Sequence, residues 1–236
     1  MMYRKRYHGA GHSFVFSPAV CTLLALLLSA CSEIQSKAGD AAADAVAEQS
    51  PAFVYVCADG TRFVSKLEGS RLWLFLPDRT LALKLQQSSA GPIYSNAGVT
   101  LASTGEKRAR LTVNGRLKRD CLLDRRQSVW ESAKLNGVDF RAVGNEPGWY
   151  LEIRNSRCIK LVSNYGADTY RFAAPQPVVD QQTGTAFYRM QSNGHELTVT
   201  LRARPCRDSM SGESFETVVE LRLDGKVLQG CGRALH

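Results

Sequence analysis

Two β-forming runs flank a turn in Phe53-Val54-Tyr55-Val56-Cys57-Ala58-Asp59-Gly60-Thr61-Arg62-Phe63-Val64-Ser65-Lys66-Leu67. Phe53 to Cys57 is rich in β-branched and aromatic residues, and Arg62 to Leu67 alternates. A period of two buries one face of a strand. Asp59-Gly60 supplies residues that tolerate positive φ, so the pair of runs reads as a hairpin. Downstream, Arg71-Leu72-Trp73-Leu74-Phe75-Leu76 is stopped by Pro77-Asp78, and Thr80-Leu81-Ala82-Leu83-Lys84-Leu85 alternates again. Ser88 to Tyr94 is a loop holding Gly91 and Pro92. Val99-Thr100-Leu101 and Arg108-Ala109-Arg110-Leu111-Thr112-Val113 are strands, with a turn at Ser103-Thr104-Gly105-Glu106 between them. Asn114-Gly115 turns once more, and Cys121 ends the unit. Short strands at even spacing, without a helix, predict a small antiparallel barrel or sandwich over residues 53–122.

The N-terminus has another grammar. Arg4, Lys5 and Arg6 form a basic region, Val20 to Leu28 is apolar, and Leu28-Ser29-Ala30-Cys31 closes the segment. These are the parts of a secretory signal. Leu-Ser-Ala-Cys resembles the lipobox of bacterial lipoproteins, which implies cleavage after residue 30, a lipid on the Cys31 sulfur and an acylated (palmitate-type) N-terminus. The other readings are an ordinary signal peptide or a short membrane helix, and the run is short for ~30 Å of hydrocarbon. Ser32 in place of Asp implies sorting to the outer membrane, facing the periplasm. Residues 31–52, with Ala41-Ala42-Ala43 among Ser, Gly, Gln and Asp, have too few large apolar residues for a core and read as a flexible linker.

Charge and cysteines bound the function. The precursor carries +8; without Arg4, Lys5 and Arg6 the chain keeps 27 Lys+Arg against 22 Asp+Glu, or +5. That is mild, and no long Lys/Arg run occurs, so nucleic acid is not expected as a partner. Of seven cysteines, Cys57, Cys121, Cys158, Cys206 and Cys231 remain beyond the signal and Cys31. Structural disulfides suit an oxidising compartment. Cys57 with Cys121 closes a loop of about 64 residues and stabilises by ~4 kcal/mol through lost chain entropy. Cys206 and Cys231 flank the last hairpin and form the second pair. Cys158 is left over; burial, a bond to another subunit or thiol shuffling are its possible fates.

The order Tyr-x-Cys at Tyr55–Cys57, Asp59-Gly60, a Ser/Ala-Gly loop ending at Tyr94, a Gly105 turn, an alternating strand and closing Cys121 resembles the MliC/PliC family. These are bacterial inhibitors of C-type lysozyme with an eight-stranded barrel. The resemblance covers residues 53–122. It implies that the loop around Ser89, Ala90, Gly91 and Tyr94 enters the lysozyme cleft, aided by a cation and a hydroxyl against acidic groups. Ala90 stands where the family has Ser, and Thr104 where it has Lys; Lys107 and Arg108 are the nearest cations.

Residues 123–138 read as a connector of one or two helical turns, with Val129 and Trp130 as its apolar contacts and Arg125-Arg126 solvated. The second half, residues 139–236, opens with Phe140 to Ile153, a string containing Gly144-Asn145-Glu146-Pro147-Gly148-Trp149. Further strands are predicted at 158–162, 169–172, 185–191, 195–202, 218–223 and 226–228, again a small β-barrel. Gly-Asn-Glu-Pro-Gly-Trp, Cys-x-Asp-x-Met-Ser and Leu-x-Gly-Cys-Gly are similar to a family of uncharacterised bacterial envelope lipoproteins, loosely related to HslJ/META-type domains, over residues 139–235. That resemblance implies location and fold without an activity.

Chemistry is sparse. Glu146 beside Trp149 reads either as a buried carboxylate or as a turn residue. Asp208-Ser209-Met210-Ser211-Gly212 reads as a ligand loop or as a polar turn. His195 stands alone on a strand, without the partners of a catalytic triad. No His/Cys cluster, Gly-x-Gly-x-x-Gly or Walker-type loop appears, so no metal, nucleotide or cofactor is expected, and no enzyme. The chain is therefore expected to be an all-β lipoprotein of two small disulfide-bonded barrels that inhibits C-type lysozyme, with an accessory envelope domain. The alternative is a structural or stress-related envelope lipoprotein that keeps the barrel without inhibiting.

Overall fold

In the computed structural model, which describes residues 50–236 except 90, 106, 155 and 156, β1 (Ala52–Val56) and β2 (Arg62–Glu68) form the expected hairpin. Gly60 takes φ +81° in its turn. Asp59 accepts from the Thr61 amide and pairs with Lys118 at 2.7 Å. The Lys118 hydrogen bond, with those from Thr61, holds the Asp59 carboxyl down at about 2. The expected signal peptide, Cys31 and all but the end of the expected linker lie outside the described residues.

The meander continues through β3 (Arg71–Phe75), β4 (Thr80–Gln86), β5 (Ile93–Asn96), β6 (Val99–Ser103), β7 (Arg108–Val113) and β8 (Arg116–Asp124), and β8 pairs back onto β1 to close an eight-stranded barrel. Phe63, Leu74, Leu83 and Leu111 fill its interior and are almost fully buried. Two strands go beyond the sequence expectation. β5 lies within the predicted loop and its neighbour, because Tyr94 is held in register between Leu85 and Leu101. β8 is masked in sequence by Lys118-Arg119-Asp120, where the ladder with β7 shifts register and Asp120 takes positive φ.

The seam between β1 and β8 is closed three times. Val56 stands opposite Leu122, and the next residues, Cys57 and Cys121, are disulfide-bonded. Asp124 then ends the strand and caps α1 (Arg125–Leu135) by accepting from the Gln127 amide at 2.9 Å. A side-chain acceptor at this position satisfies an otherwise open helix N–H. Ser128 and Ser132, one turn apart, accept from the Val54 and Ala52 amides at 2.8 and 3.2 Å. The Ser128 hydroxyl in turn donates a hydrogen bond to the Asp124 carbonyl at 2.6 Å. The helix thus supplies the acceptors that β8 has stopped supplying.

The connector is longer than expected, at 11 residues, and one of its two expected apolar contacts is corrected: Val129 is 48% exposed, whereas Trp130 is buried. The reason is geometric. Residues 128 and 132 must face β1, which turns position 129 outward and leaves 130 for the second sheet.

That sheet contains β9 (Val138–Asn145), β10 (Gly148–Arg154), β11 (Cys158–Ser163), β12 (Asp168–Ala173), β13 (Val178–Asp180), β14 (Thr185–Ser192), β15 (His195–Arg202), β18 (Thr217–Leu223) and β19 (Lys226–Ala234). Between β15 and β18 come β16 (Cys206–Arg207) and β17 (Ser214–Phe215), which pair with each other as a separate two-stranded sheet. The order is β12-β11-β10-β9-β19-β18-β15-β14-β13, antiparallel throughout. It curls into a half-barrel over Leu151, Ile159, Leu161, Leu197, Val199, Val219 and Leu221, and β12 comes up against β14 without a ladder. Pro175 and Pro177 precede the three-residue β13, and prolines have no N–H to give a ladder. Cys206 and Cys231 are bonded, as expected, while Cys158 is half-buried at the start of β11.

Barrel, helix and half-barrel belong to one compact unit. Trp130 joins them through alternating cations and aromatic rings. Arg233 lies 5.2 Å from the Phe215 ring and 4.3 Å from Trp130. Arg141 lies 5.7 Å from the Trp130 ring and 4.4 Å from the Tyr150 ring, and Lys160 lies 5.6 Å from the Tyr150 ring. Such contacts strengthen as water is excluded. Arg141 is buried and ion-paired with Glu152; burial lowers its guanidinium to about 10, so it stays cationic at neutral pH.

Replacing Ser128 by Ala leaves the buried Val54 amide without its acceptor, and a lost buried partner costs roughly 1–3 kcal/mol. Urea unfolding of Ser128→Ala is expected to show that loss, and Val129→Ala on the exposed face of the same helix almost none.

Candidate functional site

An up-and-down barrel places alternate connections at opposite ends. The β4–β5 loop, residues 87–92, and the β6–β7 turn, residues 104–107, therefore share one end, and Ile93 opposite Ala102 sets them on neighbouring strands. Ser88 and Ser89 are exposed, and the Ser88 carbonyl accepts from the Gly91 amide at 3.4 Å. Gly91 has φ +112°, a region that suits glycine. Leu85, Gln86, Gln87, Ser88, Ser89, Gly91 and Pro92 line an open hollow of about 600 Å³. Ala90 lies outside the described residues.

The remaining predicted loop residues fall in different places. Tyr94 is half-buried against the barrel interior, so it anchors the loop's exit rather than its tip. Thr104 and Lys107 are exposed in the turn, where the Thr104 amide donates to the Arg108 carbonyl at 3.0 Å and the Lys107 carbonyl accepts from Leu123. Arg108 stands opposite Leu122 on the outer wall and lines a separate hollow with Thr104, Arg110 and Lys118. The structure thus brings Ser89 and Lys107 to one end and turns Arg108 to the side. Sequence reasoning missed Phe53, Leu67 and Leu85 at this end. Their alternation marks them as interior, and only closure of the barrel tells which interior residues reach its open mouth.

In the half-barrel, the quoted motifs resolve into packing. A Cβ on Gly144 would come within 2.2 Å of Trp149 Nε1 and 2.6 Å of the Gln229 carbonyl. One on Gly230 would come within 2.0 Å of the Val143 carbonyl and 2.7 Å of the Trp149 ring. The glycines of Gly-Asn-Glu-Pro-Gly-Trp and Leu-x-Gly-Cys-Gly make room for one indole between β9 and β19. Glu146 is exposed in the β9–β10 turn while Trp149 is buried, the turn reading of the two.

Asp208 is buried beside this packing. It accepts from Asn145 Nδ2 at 2.6 Å and from the Ser211 amide at 2.7 Å, and its carbonyl accepts from Gly212. Burial pushes the carboxyl up, but hydrogen bonds from Ser211, Asn145 and Met210 outweigh it and hold the group below its ordinary value. Its lone pairs serve a loop that closes against the Cys206–Cys231 bridge, and Met210 stands 79% exposed at the tip. His195 holds Asp224 at 2.7 Å and meets the Tyr170 ring edge-on, tying the β14–β15 turn to the β18–β19 turn. The His195 hydrogen bond is the chief cause that lowers the Asp224 carboxyl.

No protein-family model, curated protein or solved structure matches this chain.

Two outcomes follow from this packing. Gly230→Ala overpacks the Trp149 site and is expected to cost about 3 kcal/mol or to prevent folding, read from the yield and urea midpoint of the purified chain. A depressed carboxylate contributes stability that is present above its unfolded pKa of about 4 and is lost as pH falls through its folded value. The unfolding midpoint of the wild type is therefore expected to fall below about pH 4, and Asp208→Asn to remove part of that dependence.

Proposed function

We propose that this chain is an envelope lipoprotein, anchored through Cys31 to the outer membrane and facing the periplasm, that binds and inhibits C-type lysozyme with the loop end of its barrel. The observation that carries the reading is the joint exposure of Ser88 and Ser89 and of Thr104 and Lys107 at one end of a closed, disulfide-stapled eight-stranded barrel. Hydroxyl donors and an ammonium are the groups that two cleft carboxylates bind. The resemblance of residues 53–122 to the MliC/PliC inhibitors supports it. So does the net charge, because a cationic face approaches an acidic cleft faster.

A second reading has its own support. Ala90 and Thr104 replace the family's Ser and Lys, and the barrel is tied by α1 to a half-barrel of different motifs. An envelope protein that keeps the barrel as a scaffold fits these features.

Lysozyme activity in the presence of the Cys31→Ser chain separates the two. The expected result is inhibition of a C-type enzyme that weakens on Ser89→Ala and Lys107→Ala by about tenfold each, as for interface contacts worth roughly 1.4 kcal/mol. No inhibition at high micromolar protein, with both disulfides formed, assigns the barrel to the scaffold reading. Palmitate labelling of the wild type, absent in Cys31→Ser, tests the anchor.

A further inference from the structure

The barrel's interior face does not end where its cover ends. Leu85 stands opposite Tyr94, Leu67 opposite Leu72, and Phe53 opposite Ser65, which in turn faces Leu74. Tyr94, Leu72 and Leu74 all belong to the interior cluster, so Phe53, Leu67 and Leu85 lie on the same inward face. Yet they are 40%, 43% and 51% exposed. Each sits where its strand meets the loop end: Phe53 at the start of β1, Leu67 and Leu85 at the ends of β2 and β4. The mouth of the barrel is open and apolar at the end that carries the Ser88–Ser89 loop, and Leu85 lines the loop's hollow.

The charges beside this mouth point to its occupant. Arg71 and Lys84 are exposed and stand directly opposite each other in the β3–β4 ladder. Like charges in that position repel, and Glu68, which stands opposite Arg71 across the β2–β3 ladder, is itself ion-paired with Lys66. Lys107 adds a third cation at the same end. An acidic surface relieves such repulsion, and a concave hollow takes an inserted side chain, which the plane of a bilayer does not offer.

We propose that Phe53, Leu67 and Leu85 form the apolar centre of a docking surface for the lip of an acidic protein cleft, with Ser88, Ser89 and Lys107 as its polar rim. The proposal rests on the lysozyme reading above and adds where its binding strength is held. Protein interfaces have this anatomy, an apolar centre that loses its water and a polar rim that orients it. The loop then provides aim, and the mouth provides the area removed from water. Affinity no longer depends on Ser at position 90 or Lys at 104.

The test uses the Cys31→Ser chain, the double variant Leu67→Ser/Leu85→Ser, the charge variant Lys84→Glu, and the loop variant Ser89→Ala. Lysozyme inhibition and the urea midpoint are read for each, along with sedimentation with phosphatidylglycerol vesicles. The proposal expects the double variant to weaken inhibition at least about tenfold with its midpoint nearly unchanged, and Lys84→Glu to weaken it in the same direction. Should the double variant fold poorly, Lys84→Glu on the outer wall decides alone. Inhibition that falls with Ser89→Ala but not with the mouth or charge variants overturns this proposal and leaves the lysozyme reading intact. A wild type that inhibits nothing overturns both. Vesicle binding that the double variant loses, with inhibition unaltered, overturns it in favour of a lipid surface.

Discussion

Closing an eight-stranded meander removes its two edges only if the first and last strands meet in register, and here that meeting is brief. β1 and β8 share a ladder from Val54 to Val56. Below it the strands are bonded through Cys57 and Cys121; above it the serines of α1 take over the amides of Val54 and Ala52. An unpaired amide in this buried place would cost free energy comparable to a lost hydrogen bond. The helix is therefore part of the barrel's closure as well as its link to the next sheet. Its N-terminus is capped by Asp124, the last residue of β8, so strand and helix share one residue at the seam.

The same helix decides how the halves are joined. Serines at 128 and 132 consume one face, and Trp130 on another is received by Arg233, Arg141 and Phe215, with Arg141 in turn lying over Tyr150. Arg141 is buried with Glu152 as its partner, and pairing is what makes a buried guanidinium tolerable. On the opposite face of β9, Trp149 occupies the space left by Gly144 and Gly230. One strand thus carries a charged, helix-facing side and an apolar core-facing side, which is why its sequence mixes Arg141 and Asn145 with Ala142 and Gly144.

The proposed binding surface lies at one end of the barrel. Seven connections join eight strands, and those between β4 and β5 and between β6 and β7 lie at the end where interior leucines and Phe53 reach solvent. The half-barrel's polar loops are satisfied from within: Asp208 by Asn145 and Ser211, Asp224 by His195 and Glu196. Loops whose acceptors are already filled hold structure rather than ligand. The proposed division is a binding barrel mounted on a second sheet that fixes its orientation.

The period of two in Phe53–Leu67 and Thr80–Leu85, the turns at Asp59-Gly60 and Asn114-Gly115, and the positions of four cysteines were enough to determine an all-β chain with two disulfides, because alternation and positive φ are local properties. β5 and β8 were not legible. Tyr94 becomes a strand residue only between Leu85 and Leu101, and Lys118-Arg119-Asp120 hides a bulged strand behind charge. The serines of α1 read as ordinary helix residues, since nothing local says that β1 lacks acceptors. Gly144 and Gly230 were visible as a motif but not as the two walls of one indole site, 86 positions apart. The candidate site divides likewise. Ser89 and Lys107 could be named from sequence, while the turning of Arg108 to the outer wall and the exposure of Phe53, Leu67 and Leu85 depend on register and closure, which are set by pairings between distant strands.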